Sequence, residues 1–284
     1  MLVYVVTPSF RSSQWLKLSI ASVADQGVPV EHIVQDAGSD DGTLDWLPQD
    51  ARVRAFIEQD QGMYDAINRG FRRAKGDIFA WLNCDEQYLP GALESVTAFY
   101  ASHPAVDILF GDVVMVDGAG RYLAHRKMQT PLLYHTWTCQ LSTLSCAMFF
   151  RRRVLCEYEF DFDPRLRDAG DGVWMVQLLK RGVKMHALGR FTSVFACTGA
   201  NMSAGPNARR EGRELFESAP WWARKGRPLI ILHHRLRRWL GGMYRQQPFS
   251  YAVYTVASPD RRQTHQVNRP NFRWPAPAGP GRTG

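Results

Sequence analysis

The chain has 284 residues, 45% hydrophobic and 22% charged, the balance of a globular protein with a sizeable core in one large domain or two small ones. Its net charge of +8 is unevenly placed: residues 1–204 carry 20 Lys+Arg against 23 Asp+Glu, while residues 205–284 carry 15 against 4. The basicity belongs to the tail, where it suits an anionic partner surface such as nucleic acid or lipid headgroups.

Cys84, Cys139, Cys146, Cys156 and Cys197 are an odd set without C-x-x-C spacing, which reads as reduced thiols in a reducing compartment. The opening "MLVYVVTPSF" lacks a basic n-region and a cleavage site, and no stretch reaches about 18 uninterrupted apolar residues. The expectation is a cytoplasmic chain, soluble or touching the inner face of the cell membrane.

"LVYVV" (2–6) is a β-branched run stopped by Thr7-Pro8-Ser9, a buried strand entering a turn. Ser13 to Ala24 follows with helical periodicity, placing Leu16, Ile20 and Val23 on one face. A second strand is expected at His32–Val34, leaving through "DAGSDDGT", and a third at Val53–Ile57. Met63, Ile67, Phe71 and Ala74 share a helical face that Gly76 would end. "IFAWL" (78–82) is the next strand, and Asp85 follows it. This cadence predicts an α/β fold: a Rossmann-like, mainly parallel sheet with helices on both faces. Ligands of such sheets bind beyond the carboxyl ends of the strands, where Thr7–Ser9, Asp36 and Asp85 all fall.

After residue 105 the pattern changes. "VDILFGDVVMVDGAGRYLAHRKM" predicts a hairpin turning at Asp117-Gly118, "SCAMFFRRRVL" a further strand, and "DAGDGVWMVQLLKRG" a helix. The predicted organisation is a catalytic domain over 1–205 (a nucleotide-binding half, 1–105, and an acceptor and catalytic half, 106–205), a basic helical extension over 206–269, and a disordered tail over 270–284.

Several residues suit chemistry, each with a plainer alternative. Asp36 precedes the helix-capping candidates Ser39 and Asp41 and can accept an N–H from a bound base, or simply form an Asx turn. Gly62 opens a helix whose first N–H groups suit an anion, though such glycines are frequent. Asp85 and Glu86, with Asn83 pointing the same way as Asp85, suit Mg²⁺ or Mn²⁺ with phosphates completing the shell; the alternative is a pair of solvated loop acids. Asp171 at a helix N-terminus is a cap or a general base, with Asp168 its competitor. From Arg224 to Tyr244, Leu229, Leu232, Leu236, Trp239, Leu240 and Met243 share one face. This is a helix packed on the domain with a solvated basic face, or one lying in a membrane interface. No nucleic-acid-binding motif is interleaved with its basic residues.

Four blocks in order, "VVTPSFRSSQWLKLSIASVADQG", "IVQDAGSDDGTLDWL", "EQDQGMYDAINRGFRRAKGDIFAWLNCDEQYLPGAL" and "RDAGDGVWMVQLLKRG", resemble the family 2 glycosyltransferases of GT-A fold, especially those assembling bacterial surface polysaccharides. The resemblance covers roughly residues 1–205. It implies an inverting transfer of one sugar from a nucleotide-diphosphate-sugar (UDP, GDP or dTDP) to a glycan or lipid-linked glycan. It further implies that Thr7, Pro8 and Ser9 line the nucleoside pocket, that Asp36 holds the base, and that Asp60, Gly62 and the helix through Asn68 shape the ribose and diphosphate region. Asp85 falls on the last position of the D-x-D metal motif, where Asn83 replaces the first aspartate, and Asp171 on the catalytic base. Gly170 stands where many relatives have Glu or Ala.

The processive members' Q-x-x-R-W motif lacks its Gln in Arg235-Leu-Arg-Arg-Trp239, which reads as coincidence. A sugar nucleotidyltransferase would need a glycine-rich N-terminal loop with basic residues, which "VVTPSF" does not supply. A non-catalytic membrane scaffold is the remaining alternative. The expected lid is the "TGANMSAG" loop, 198–205.

Overall fold

A computed structural model of the chain describes residues 1–157, 161–198 and 205–274. The first part alternates as the hydrophobic pattern demands: β1 (Val3–Ser9), α1 (Ser13–Ala24), β2 (Val30–Asp36), β3 (Arg54–Ile57), α2 (Met63–Arg73) and β4 (Ile78–Trp81). Leu16, Ile20 and Val23 of α1 are buried as their spacing requires. α2 stops at Arg73, three residues before Gly76.

Next come β5 (Glu86–Tyr88), α3 (Ala92–Ser102), β6 (Ile108–Asp117), β7 (Tyr122–Arg126), α4 (Leu133–Thr138), β8 (Met148–Arg151), α5 (Arg153–Cys156), α6 (Gly170–Lys180) and β9 (Met185–Cys197). The β6–β7 hairpin turns where Asp117-Gly118 predicted it, with the Asp117 carbonyl accepting the Gly120 N–H.

These strands form one sheet in the order β3-β2-β1-β4-β8-β6-β9-β5, with β7 paired to β6. The parallel character belongs to β3-β2-β1-β4 and the β6–β9 pair; β8 and β5 run antiparallel to their neighbours, as does β7 to β6. The carboxyl ends of β1, β2 and β4 therefore open toward one crevice, the geometry that collects ligands in α/β sheets. An aromatic cluster fixes the floor behind it: Trp81 meets Phe150, Phe162 and Trp174 edge-on at centroid distances of 6.3, 5.2 and 6.3 Å.

The extension is helical only in part. α7 (Pro206–Glu217), α8 (Trp221–Lys225) and α9 (Arg227–Leu240) are followed by an antiparallel hairpin, β10 (Phe249–Thr255) and β11 (Ser258–Val267). Its period-2 alternation buries Tyr251, Val253 and Val267 against Val114, Val116 and Val194 of the main sheet. Gln87 and the backbone of Tyr254 exchange two hydrogen bonds of 2.9 Å, and Arg262 binds Asp25 at 2.6 and 2.7 Å. Residues 270–274, expected in a disordered tail, pack on β7, where the Asn271 carbonyl accepts the His125 N–H at 2.8 Å. Residues 275–284 lie outside the described residues.

α9 inverts the amphipathic expectation of a helix with a solvated basic face. Its polar His234 and Arg238 are buried, while Leu229, Leu232 and Trp239 are 71%, 62% and 62% exposed. Trp221, Trp222, Leu236 and Leu240 extend this apolar ridge. Among the described residues no helix is long and apolar enough to cross a membrane.

Candidate active site

A cavity of about 1790 Å³ lies at the carboxyl ends of β1, β2 and β4. It is lined by Pro8, Ser9, Ala37 and Gly38 after β1 and β2, by Asp60 and Gly62 before α2, by Asn83 and Asp85 after β4, and by Asp168 and Asp171 around the start of α6.

Besides Asp171, six expected residues line the cavity: Pro8, Ser9, Asp60, Gly62, Asn83 and Asp85. Ser9 donates its hydroxyl proton to Asp36 at 2.8 Å. Asp60 accepts the Gly62 N–H at 2.8 Å, closing a turn in which Gly62 takes φ +123°, a conformation that favours glycine. Burial pushes the Asp60 pKa upward. Asn83 and Asp85 sit on the tight turn between β4 and β5, where Glu86 accepts the Asn83 N–H at 2.8 Å.

Three others do not line it. Thr7 is buried with its hydroxyl 2.9 Å from His32 Nε2, two residues inside the carboxyl end of β1 at which Ser9 reaches the cavity. Asn68 lies on the core face of α2 and clamps Phe162, donating to its carbonyl at 2.8 Å and accepting its N–H at 2.9 Å. Asp36 is wholly buried behind Ala37 and Gly38. Its two oxygens already accept the Gly38 and Ser39 N–H groups and the Ser9 and Ser39 hydroxyls, so it organises this wall from behind. The capping expected of Asp41 is present: it accepts the Ser13 N–H at the start of α1 and the Thr43 N–H.

Asp171 stands at the start of α6, lining the cavity. Its carboxylate accepts the Gly172 N–H at 2.8 Å, and burial pushes its pKa up to about 6. Its own N–H donates to Tyr64 Oη at 3.2 Å. That contact explains Gly170: a Cβ there would stand 2.6 Å from Tyr64 Cε2, so a larger residue has no room. Asp168 also lines the cavity, but its carboxylate accepts the Ala208 N–H at 3.0 Å and ties the loop to α7.

The sequence reading missed three residues here. Glu211 of α7 is buried and accepts the N–H groups of Arg167, Asp168 and Ala169 at 2.8, 3.0 and 2.9 Å, fixing the loop that delivers Asp171. It is one of only four acids in the basic tail, the single available signal. Arg167 donates to the Gln61 carbonyl and covers Gly62 at the mouth of α2. Tyr64 of α2 is the third, buried and stacked on Phe162.

For a divalent cation the donors are Asp85 and the Asn83 amide oxygen, which is buried and has no hydrogen-bond partner among the described residues. Burial pushes the carboxyls of both Asp85 and Glu86 upward. Glu86 is buried in the β5 ladder and does not line the cavity. No group of three His, Cys, Asp or Glu side chains forms a metal cage among the described residues. The set therefore fits a hard cation that takes most of its ligands from phosphate and water. Of the expected lid, residues 199–204 lie outside the described residues; Thr198 lines the cavity.

Comparison with known proteins bears on this arrangement. The family model described as "Glycosyl transferase family 2" matches residues 4–160. A Mycobacterium tuberculosis protein named as a PGL/p-HBAD biosynthesis glycosyltransferase is 33% identical over 118 residues, 39% of this chain and 46% of its own. TuaG of Bacillus subtilis, named for teichuronic acid biosynthesis, is 35% identical over 104 residues, 34% of this chain and 41% of its own. The matches thus span less than half of these relatives' length.

Among solved structures, S. aureus TarS 1-349 in complex with UDP-GlcNAc superposes with a TM-score of 0.62 at 19% identity, covering 76% of this chain and 64% of that one. The mannosyltransferase PcManGT of Pyrobaculum calidifontis, in complex with GDP-Man and Mn²⁺, gives 0.54 at 15% identity, covering 82% and 75%. These likenesses show the fold, the GT-A type expected from the sequence. With more than half of its length matched by the family model, the chain belongs to glycosyl transferase family 2.

Proposed function

We propose that this chain transfers one sugar, with inversion, from a nucleotide-diphosphate-sugar to a hydroxyl of a glycan or lipid-linked glycan in surface-polysaccharide biosynthesis. The observation that carries the reading is the convergence of Ser9, Asp60, Asp85 and Asp171 on one cavity.

Pro8, Ser9 and Gly38 receive the nucleoside, their backbone held by Asp36. Asp60 and the α2 N-terminus at Gly62 receive the ribose and diphosphate. Asp85 with the Asn83 oxygen holds Mn²⁺ or Mg²⁺. When bound, such an ion neutralises charge growing on the departing diphosphate. Asp171, whose raised pKa suits a proton acceptor near neutral pH, takes the proton of the acceptor hydroxyl as it attacks the face of the sugar opposite the leaving group. Tyr64 and Glu211 hold it in position.

The exposed ridge of α8 and α9 attaches the protein to an anionic bilayer surface. Its Trp and Leu side chains are flanked by exposed Lys225, Arg227, Arg235 and Arg245, the composition of an interfacial helix. Relatives named for PGL/p-HBAD and teichuronic acid biosynthesis support the assignment to surface polymers. Thermal-shift measurements with UDP-, GDP- and dTDP-sugars, with and without Mn²⁺, test the reading. One class is expected to stabilise the chain in a metal-dependent way, and stabilisation by none overturns it.

A further inference from the structure

On the side of the cavity away from β1 and β2, another group of side chains stands together that donor chemistry does not use. Arg126 at the end of β7, Phe195 in β9 and Trp274 in the C-terminal strap all line the cavity. The strap is held there by backbone bonds: Tyr122 Oη accepts the Asn271 N–H at 2.8 Å, and Asn271 accepts the His125 N–H at 2.8 Å. The Arg126 guanidinium lies 5.6 Å from the centre of the Trp274 ring, and that ring is 6.2 Å from Phe195. Phe195 pairs with Glu86 in the β5–β9 ladder, so the group borders the turn that carries Asp85. Strand order separates it from the nucleoside wall, since β4, β8 and β6 lie between β1 and β7.

The charge of Arg126 has no counterpart here. Arg73 and Arg262 meet carboxylates, Glu58 at 2.7 Å and Asp25 at 2.6 Å, while Arg151 and Arg237 are satisfied by short bonds to carbonyl oxygens. Arg126 makes only a 3.5 Å contact to the Phe272 carbonyl and forms no ion pair among the described residues. Burial lowers its pKa, and the positive charge of Arg238, 5% exposed in α9, lowers it further. Holding a desolvated guanidinium beside a like charge is unfavourable, and a bound anion reverses the sign of that term. A guanidinium presents paired N–H donors to phosphate or carboxylate, and flat rings such as Trp274 and Phe195 pack against the apolar face of a sugar.

We propose that Arg126, Trp274 and Phe195 form a subsite for an anionic group, a phosphate or a uronate carboxylate, carried by the acceptor near the hydroxyl that is glycosylated. That this anion belongs to an acceptor rests on the glycosyltransferase reading; that an anion binds at Arg126 does not.

The test uses three small probes, phenyl phosphate, phenyl β-D-glucuronide and neutral phenyl β-D-glucoside, titrated into the full chain labelled with ¹⁵N. The readout is the indole N–H signal of Trp274, assigned by its loss in Trp274→Phe. A saturable shift is expected with at least one anionic probe and not with the glucoside, and whichever anion binds more tightly names the source. Arg126→Gln weakens that binding about tenfold or more, while Arg126→Lys, which keeps the charge but loses the paired donors, weakens it by less. An indole signal moved by neither anion, or moved equally by the glucoside, overturns the proposal. So does equal binding by the Gln variant, or a loss in the Lys variant as large as in Gln, which would assign Arg126 to packing alone. Nucleotide-sugar thermal shifts on the same proteins separate the two readings: their absence in wild type removes the transferase reading and leaves the Trp274 result to decide the subsite.

Discussion

The N–H of Asp171 donates to Tyr64 Oη at 3.2 Å, joining α6 to α2 at the cavity wall. One hydrogen bond thus links the helix beside the diphosphate region to the carboxylate assigned as base. The ring of Tyr64 also fills the space a side chain at residue 170 would need.

Asp171→Asn is expected to keep nucleotide binding and to lose transfer by about three orders of magnitude, since general-base catalysis contributes roughly 10²–10⁴-fold. In the wild type, kcat/KM is expected to rise about tenfold per pH unit below about 6 and to level off above it. The same shift acts on stability. The folded pKa of about 6 exceeds the ordinary aspartate value of 3.8 that the unfolded chain takes, so the folded state binds the extra proton between them. This group's contribution therefore falls as pH rises through that window, leaving a cost of roughly 2–3 kcal/mol above it. Asp171→Asn should melt higher than wild type at pH 8 and much like it at pH 4; equal melting at both pH values contradicts the burial argument.

Gly170→Ala forces a Cβ to within 2.6 Å of Tyr64 and is expected to cost about 1–3 kcal/mol. Tyr64→Phe keeps the ring but removes the acceptor of the Asp171 N–H, at about 1 kcal/mol and a several-fold loss in kcat. Denaturant melts and single-turnover rates on the two variants separate crowding from hydrogen bonding.

Glu211→Gln leaves one carbonyl oxygen where two carboxylate oxygens serve three N–H groups. A loss of about 1–3 kcal/mol is expected, with kcat lowered and nucleotide affinity unchanged. An equal loss of nucleotide affinity would place Glu211 in general folding rather than in positioning the base loop.

Asp85→Ala should abolish the Mn²⁺-dependent part of nucleotide stabilisation and leave the melting of the nucleotide-free protein near wild type. Chelation of the wild type by EDTA should reproduce this behaviour. Nucleotide binding that is identical with and without metal would remove Asp85 from that role.

Replacing Leu232 and Trp239 together by Ser is expected to weaken flotation with phosphatidylglycerol vesicles by tenfold or more, with the melting temperature unchanged because both side chains are exposed. Phosphatidylcholine vesicles should bind weakly in either case. Equal flotation of variant and wild type would free α9 of the membrane assignment.

Much of the N-terminal half was legible because its signals are local. β1, α1, β2, α2 and β4 follow from the period of their apolar residues, and the turns after them from Pro, Gly and Asp. β5 and β9 were not legible: three residues carry too little pattern, and "MHALGRFTSVFAC" is interrupted by Gly189 and Arg190. The β10–β11 hairpin did carry alternation in "FSYAVYT", but the basic tail around it read as helical throughout.

By itself the sequence determined the alternation of strands and helices, the loops that carry Asp60, Asp85 and Asp171, and the segregation of positive charge into the tail. These depend on neighbours within a few residues of each other. Which candidates share a cavity was decided only by tertiary structure: Thr7 was covered by His32 of the neighbouring strand, Asn68 faced the core, and Asp36 was spent on its own loop. The side of α9 that meets water was decided there too, because burying Arg238 and His234 turned the leucines outward, where they stand exposed among the described residues. Side-chain orientation depends on what packs against it across tens of residues of chain, as Glu211 does to the Asp171 loop 40 residues before it.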